Sequence, residues 1–127
     1  MPASAEQLEV RLIRASHELK TTDDDLKPLL PTLKKLFGYE HYTRLGNHHQ
    51  QKFPPAQRRR LDLGEGFTIF ITVTNSDPRG ADVEFEWYSG KAALVKSNVR
   101  LTPNSPLLVR GPEVGKDWII LALQLHR

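Results

Sequence analysis

Phe67-Thr68-Ile69-Phe70-Ile71-Thr72-Val73-Thr74, then Asn75-Ser76-Asp77-Pro78-Arg79-Gly80, then Ala81-Asp82-Val83-Glu84-Phe85-Glu86-Trp87 is the stretch that decides the fold. In the first segment Phe67, Ile69, Ile71 and Val73 share one face, and Thr68, Phe70, Thr72 and Thr74 take the other. In the last, Val83, Phe85 and Trp87 alternate with Asp82, Glu84 and Glu86. A period of two with one apolar face predicts two half-buried strands. The Asn/Asp/Pro/Gly cluster between them predicts a turn, so the two strands form a hairpin.

Toward the C-terminus, Ser89-Gly90-Lys91 reads as a second turn and Ala92–Leu101 as a third strand. Leu107-Leu108-Val109 follows a proline-rich turn and reads as a short strand. Trp118 to Leu125 is apolar on both faces, the pattern of a central strand covered from both sides. Toward the N-terminus, Gly64-Glu65-Gly66 is a hairpin turn and Arg58–Leu63 leads into it. Residues 47–57 carry Pro54-Pro55, which excludes a central strand and predicts a loop or an irregular edge. Tyr39–Leu45 is rich in strand formers. Leu26, Leu29, Leu30, Leu33, Leu36 and Phe37 recur at helical spacing, with Lys27, Lys34 and Lys35 off that stripe, so 24–37 is an amphipathic helix stopped by Gly38. Thr21-Thr22-Asp23-Asp24-Asp25 supplies capping residues ahead of it. Pro31 sits badly in a helix interior and predicts a kink or a broken first turn. Residues 8–14 alternate again and open the chain as a strand.

The order is β-α-β followed by a β-meander of about five strands. One helix cannot cover a sheet of that size, so the sheet must fold over itself. The fold class is therefore α+β: a mainly antiparallel sheet closing as a sandwich or partial barrel, with one N-terminal helix. Residues 1–7 are expected to be a flexible tail and 8–127 a single domain.

The totals agree. The 127 residues suit one domain, and 39% hydrophobic with 26% charged residues is ordinary globular composition. A net charge of +3 is too small to mark a nucleic-acid footprint unless it is gathered on one face. With no cysteine, disulfides, thiolate catalysis and zinc–thiolate sites are excluded. No apolar run approaches the roughly 20 residues of a membrane-spanning helix.

Each candidate site has a competing structural reading. His41, His48 and His49 are the one concentration of metal-type ligands, but no spaced ligand set supports them and solvated loop histidines are the favoured explanation. Lys52, Arg58, Arg59 and Arg60, with Phe53 and Tyr42 for base stacking, could form a phosphate-contacting edge. On a strand, however, Arg58 and Arg60 share a face that Arg59 does not, and charge also protects a sheet edge from mispairing. Asp23, Asp24 and Asp25 lack a calcium loop and read as helix capping. Glu84 and Glu86 lie about 7 Å apart on one strand face, on the Thr68/Thr72 side of the hairpin. They would serve glycoside hydrolysis only in a cleft that raises one pKa. Trp87 and Trp118 read as core. No nucleophile elbow or phosphate-binding glycine loop is present.

The stretches Val10–Ser16, Leu33–Phe37 and Tyr39–Gly46, with Leu108–Pro112 and Trp118–Leu123, resemble a group of small uncharacterised exported bacterial proteins. These carry one helix before a β-rich body. The resemblance implies export and a non-enzymatic role, and it brings no catalytic residue. Ala3-Ser4-Ala5 also matches the small-residue pattern of a signal-peptidase cut. The expected function is a non-catalytic binding or assembly module of the bacterial envelope, periplasmic or secreted, with another protein or an envelope component as partner. It would use His48, His49, Lys52, Phe53 and Arg58–Arg60 around the 46–57 loop or an exposed strand edge. No cofactor is expected. The alternatives are a nucleic-acid-binding β-domain using Lys52 and Arg58–Arg60, a small sugar-binding or hydrolytic protein, and a cytoplasmic location.

Overall fold

The structure, a computed structural model, describes residues 6–17, 23–39 and 41–127. Within them the strands are β1 (Glu6–Ser16), β2 (His41–Phe53), β3 (Arg59–Gly64), β4 (Phe67–Asp77), β5 (Gly80–Ser89), β6 (Ala92–Leu101), β7 (Leu107–Val114) and β8 (Asp117–His126). They build two four-stranded sheets of order β2-β1-β8-β7 and β3-β4-β5-β6, and every pairing between these strands is antiparallel. The architecture is the expected α+β sandwich, and the sheets do not close into a barrel. The meander is confined to β3–β6. The last hairpin returns to the first sheet and sets β8 beside β1.

The hairpin at 67–87 forms as expected and runs longer than its alternation, so that only Pro78 and Arg79 remain as the turn. Its apolar faces turn inward. Ile69, Ile71, Val83, Phe85 and Trp87 pack against Leu8, Val10, Leu12, Leu121 and Leu123 of the first sheet in one core. β8 is central in its own sheet, and the two-sided apolarity of 118–125 has a direct cause. Ile119, Leu121, Leu123 and Leu125 fill the inter-sheet core, while Ile120 and Ala122 face outward beneath the helical segment.

That segment has two parts. Asp24–Leu29 is a 3-10 turn containing Pro28, and α1 runs Leu30–Phe37 with Pro31 in its first turn. There the missing N–H is no loss, so Pro31 starts the α-helix instead of kinking one. Leu26, Leu29 and Leu33 pack on Ile13, Ala15, Tyr42, Ile120 and Ala122 as a second core. Buried Tyr42 donates its hydroxyl to the Leu33 carbonyl at 3.1 Å and accepts the Tyr39 N–H at 3.1 Å. Asp23 does not cap the helix through its side chain. Its carboxylate accepts the Arg44 N–H at 2.6 Å and its own N–H donates to the Tyr42 carbonyl at 3.0 Å, covering part of the free edge of β2. Thr21 and Thr22 lie outside the described residues.

Two expectations about the N-terminal half are adjusted. Of the two readings of 47–57, loop or irregular edge, the second holds as far as Phe53. There β2 is an edge strand with a break in its register, and Glu6 to Val10 of β1 pair with His49 to Phe53. Polarity misleads here because β2 is an edge strand with one face in solvent, where polar residues are tolerated. Only residues 54–58 connect β2 to β3. β1 also takes in Glu6 and Gln7, the last two residues of the expected tail.

Candidate functional site

The helical segment covers part of the outer face of the first sheet. Among the described residues, no element covers the outer face of the second, so β4, β5 and β6 present their outward side chains directly. Register aligns these in rows. Phe70, Glu86 and Lys96 stand side by side, and Thr72, Glu84 and Asn98 form the next row. A groove of about 380 Å³ runs over them, with Arg58 as one wall.

Arg58 reaches over from the connection preceding β3. Its guanidinium lies 3.9 Å above the centroid of the Phe70 ring and donates to Glu86 Oε2 at 2.6 Å. Lys96 Nζ approaches Glu86 Oε1 at 3.4 Å, and the Tyr88 hydroxyl donates to the same oxygen at 3.4 Å. The Phe70 and Tyr88 rings meet edge to face with centroids 5.7 Å apart. The Arg58 hydrogen bond, and after it Lys96, holds the Glu86 carboxyl below the ordinary carboxylate range. In the neighbouring row Glu84 has no hydrogen-bond or ion-pair partner among the described residues, and neither do Thr72 and Asn98. The groove thus has a charge-paired row, Arg58–Glu86–Lys96, beside a row of free polar groups.

Glu86, its carboxyl held down by Arg58, lacks the raised pKa that the general acid of glycoside hydrolysis needs.

The candidate nucleic-acid edge divides. Tyr42 and Phe53, expected to stack bases, are both fully buried. Lys52 follows the outward parity of the first sheet, whereas Arg60 aligns with Phe70 on the outer face of the second. Lys52 and the Arg58/Arg60 pair therefore look out from opposite sides of the sandwich. Arg59 aligns with inward Ile71 and bonds Gln57 Oε1 at 3.3 Å.

The three histidines also separate. His41 and His48 stand seven residues apart on β2, roughly 23 Å along a strand. His49 Nε2 meets the Asp62 carbonyl at 2.7 Å and, facing an oxygen that can only accept, must donate. His48 Nε2 meets Glu9 Oε2 at 2.7 Å, and His126 Nε2 meets the other Glu9 oxygen at 3.2 Å. No group of three metal-type ligands converges among the described residues.

Glu9 was not singled out by its sequence, since it reads there as the polar half of an alternating strand. It is only 8% exposed and is also bonded by Arg11 at 2.7 Å. Burial pushes its carboxyl up, but Arg11, His126 and His48 together outweigh burial and leave it below its ordinary value. The folded chain therefore binds this proton less readily than the unfolded chain does. The stabilisation is complete above the ordinary value of 4.5 and is lost as the pH falls below it. Glu9→Gln is expected to cost about 2 kcal/mol at neutral pH. Urea melts should show the gap to wild type shrinking below about pH 4. A gap unchanged between neutral and acid pH would refute this account.

The groove residues are legible only in part. Glu84, Glu86, Phe70 and Thr72 fall on one face by alternation, but Asn98 and Lys96 join them only through the β5–β6 register, and Arg58 only through the path of the β2–β3 connection. The chain matches no protein-family model, no curated protein and no solved structure.

Proposed function

We propose that the chain is a non-catalytic binding module that takes its ligand on the outer face of the second sheet. The observation that carries this is the groove itself. It crosses a paired sheet and places a row of polar side chains, without partners among the described residues, beside a fixed Arg58–Glu86–Lys96 row. Rigid strands hold such groups in place at little entropic cost on binding. The groove volume lies near the lower end of the roughly 300–1,000 Å³ usual for ligand sites. The bacterial envelope is its proposed setting, supported by the resemblance to exported proteins.

A fragment screen by amide NMR tests the reading. With a library of small polar compounds, hits are expected to cluster on the amides of residues 70–72, 84–86 and 96–98. Hits that gather elsewhere, or an absence of hits at these amides, would overturn it.

A further inference from the structure

We infer that the ligand of this face is a neutral, hydroxyl-rich chain, an oligosaccharide segment, held chiefly by Thr72, Glu84 and Asn98; this rests on the binding-module reading above. Three observations narrow the class.

The first is charge. Arg58 and Lys96 are both committed to Glu86, and with Glu84 the groove holds two positive and two negative groups. A polyanion would meet Glu84 and Glu86, and a polycation would meet Arg58 and Lys96. Either suffers like-charge repulsion that a neutral ligand escapes.

The second is hydrogen-bonding capacity. Register places the Thr72 hydroxyl, the Glu84 carboxylate and the Asn98 carboxamide in one line across three strands. Together they offer donors and several acceptors, none used by another described residue. Sugar hydroxyls both donate and accept, so a run of them can satisfy such a line, whereas an apolar ligand would leave it desolvated and unpaired.

The third concerns the backbone. β4 and β5 are paired on both sides, so their N–H and C=O groups are spent in the ladders. A peptide lying over β4 and β5 would find no main-chain partners beneath it. Strand addition, the usual source of peptide affinity on a sheet, is left to the outer edge of β6, beside the groove and not across it. The Phe70 face is already covered by Arg58, so polar contacts and not ring stacking dominate.

The test is an amide NMR titration of the full chain with three probe classes. These are neutral hexasaccharides of glucose, xylose and N-acetylglucosamine; a heparin-derived hexasaccharide; and an uncharged Ser/Gly/Asn peptide. At least one neutral sugar is expected to shift the amides of residues 71–73, 83–85 and 97–99 saturably. That affinity should stay flat between about 50 and 500 mM salt. Glu84→Ala and Asn98→Ala, both on exposed positions, should each weaken it about tenfold while leaving the remaining spectrum in place. If groove amides move only with the heparin fragment or the peptide, the sugar inference falls and the binding face stands. If no probe of any class moves them, both fall. A steep loss of sugar affinity with salt would also overturn the neutral-ligand assignment.

Discussion

Trp87→Ala is expected to lower the unfolding free energy by about 4 kcal/mol, the largest effect of any single truncation in this chain. Trp87 is fully buried in the inter-sheet core, tilted against Phe67 with centroids 5.9 Å apart. It is the largest fully buried side chain and sits where the two sheets meet. Its far edge rests on Gly111 of β7, where an added Cβ would come within 2.0 Å of the ring. Removing the indole opens a cavity that two hydrogen-bonded sheets cannot collapse to fill, so the full cavity cost applies. Trp87→Phe is the informative companion. The indole N–H has no acceptor among the described residues, so phenylalanine forfeits volume but no hydrogen bond. It should cost less than half as much as alanine. Urea denaturation followed by far-ultraviolet dichroism measures both. A Trp87→Ala loss under about 2 kcal/mol would mean that the interface repacks.

Gly46→Ala is expected to be nearly as damaging, at about 3 kcal/mol or more, although Gly46 is exposed and an alanine adds one methyl group. Two penalties coincide there. Gly46 has φ +65°, a left-handed conformation that costs a residue with a Cβ about 1 kcal/mol. The added Cβ would also lie 2.0 Å from the Leu63 carbonyl oxygen of β3, a backbone atom at the bulge between the Asp62 and Gly64 pairings with β4. Gly90→Ala separates the two terms. Gly90 has φ +58° but nothing within 4 Å of an added Cβ, so it should lose only the conformational part. If the two variants melt at the same denaturant concentration, β2 and β3 do not approach each other as closely as described.

The same position shows why the fold was only partly legible in the sequence. Gly46-Asn47 reads as the end of a strand, because glycine and asparagine usually mark turns. Here they sit at an irregularity in the β1–β2 register between Val10 and Leu12, and the paired strand resumes from His49 to Phe53 only because β1 continues beside it. Alternation in Phe67–Thr74 and Asp82–Trp87 assigned faces correctly, since a period of two is a local property. It could not assign neighbours. Nothing in Trp118–Leu125 says that its partners are β1 and β7 and not the hairpin. The candidate site has the same division. Glu84 and Glu86 were legible as the outward face of β5, whereas the row Thr72–Glu84–Asn98 needs the β5–β6 pairing across the bulge between Trp87 and Tyr88. The arginine run was visible, but its members leave in different directions once β3 pairs with β4.

The pairing of β1 with β8 also bears on the order of assembly. Leu8 faces Leu125 and Leu12 faces Leu121, so the opening strand finds its central neighbour more than a hundred residues later. β3 to β6 need only successive hairpins, each closed by a short turn. Closing the wide loop between β1 and β8 spends chain entropy before it gains contacts, which makes it the natural slow step of folding. During synthesis the second sheet can therefore be complete while β1 still has only β2 beside it, and the first sheet closes only when β8 emerges.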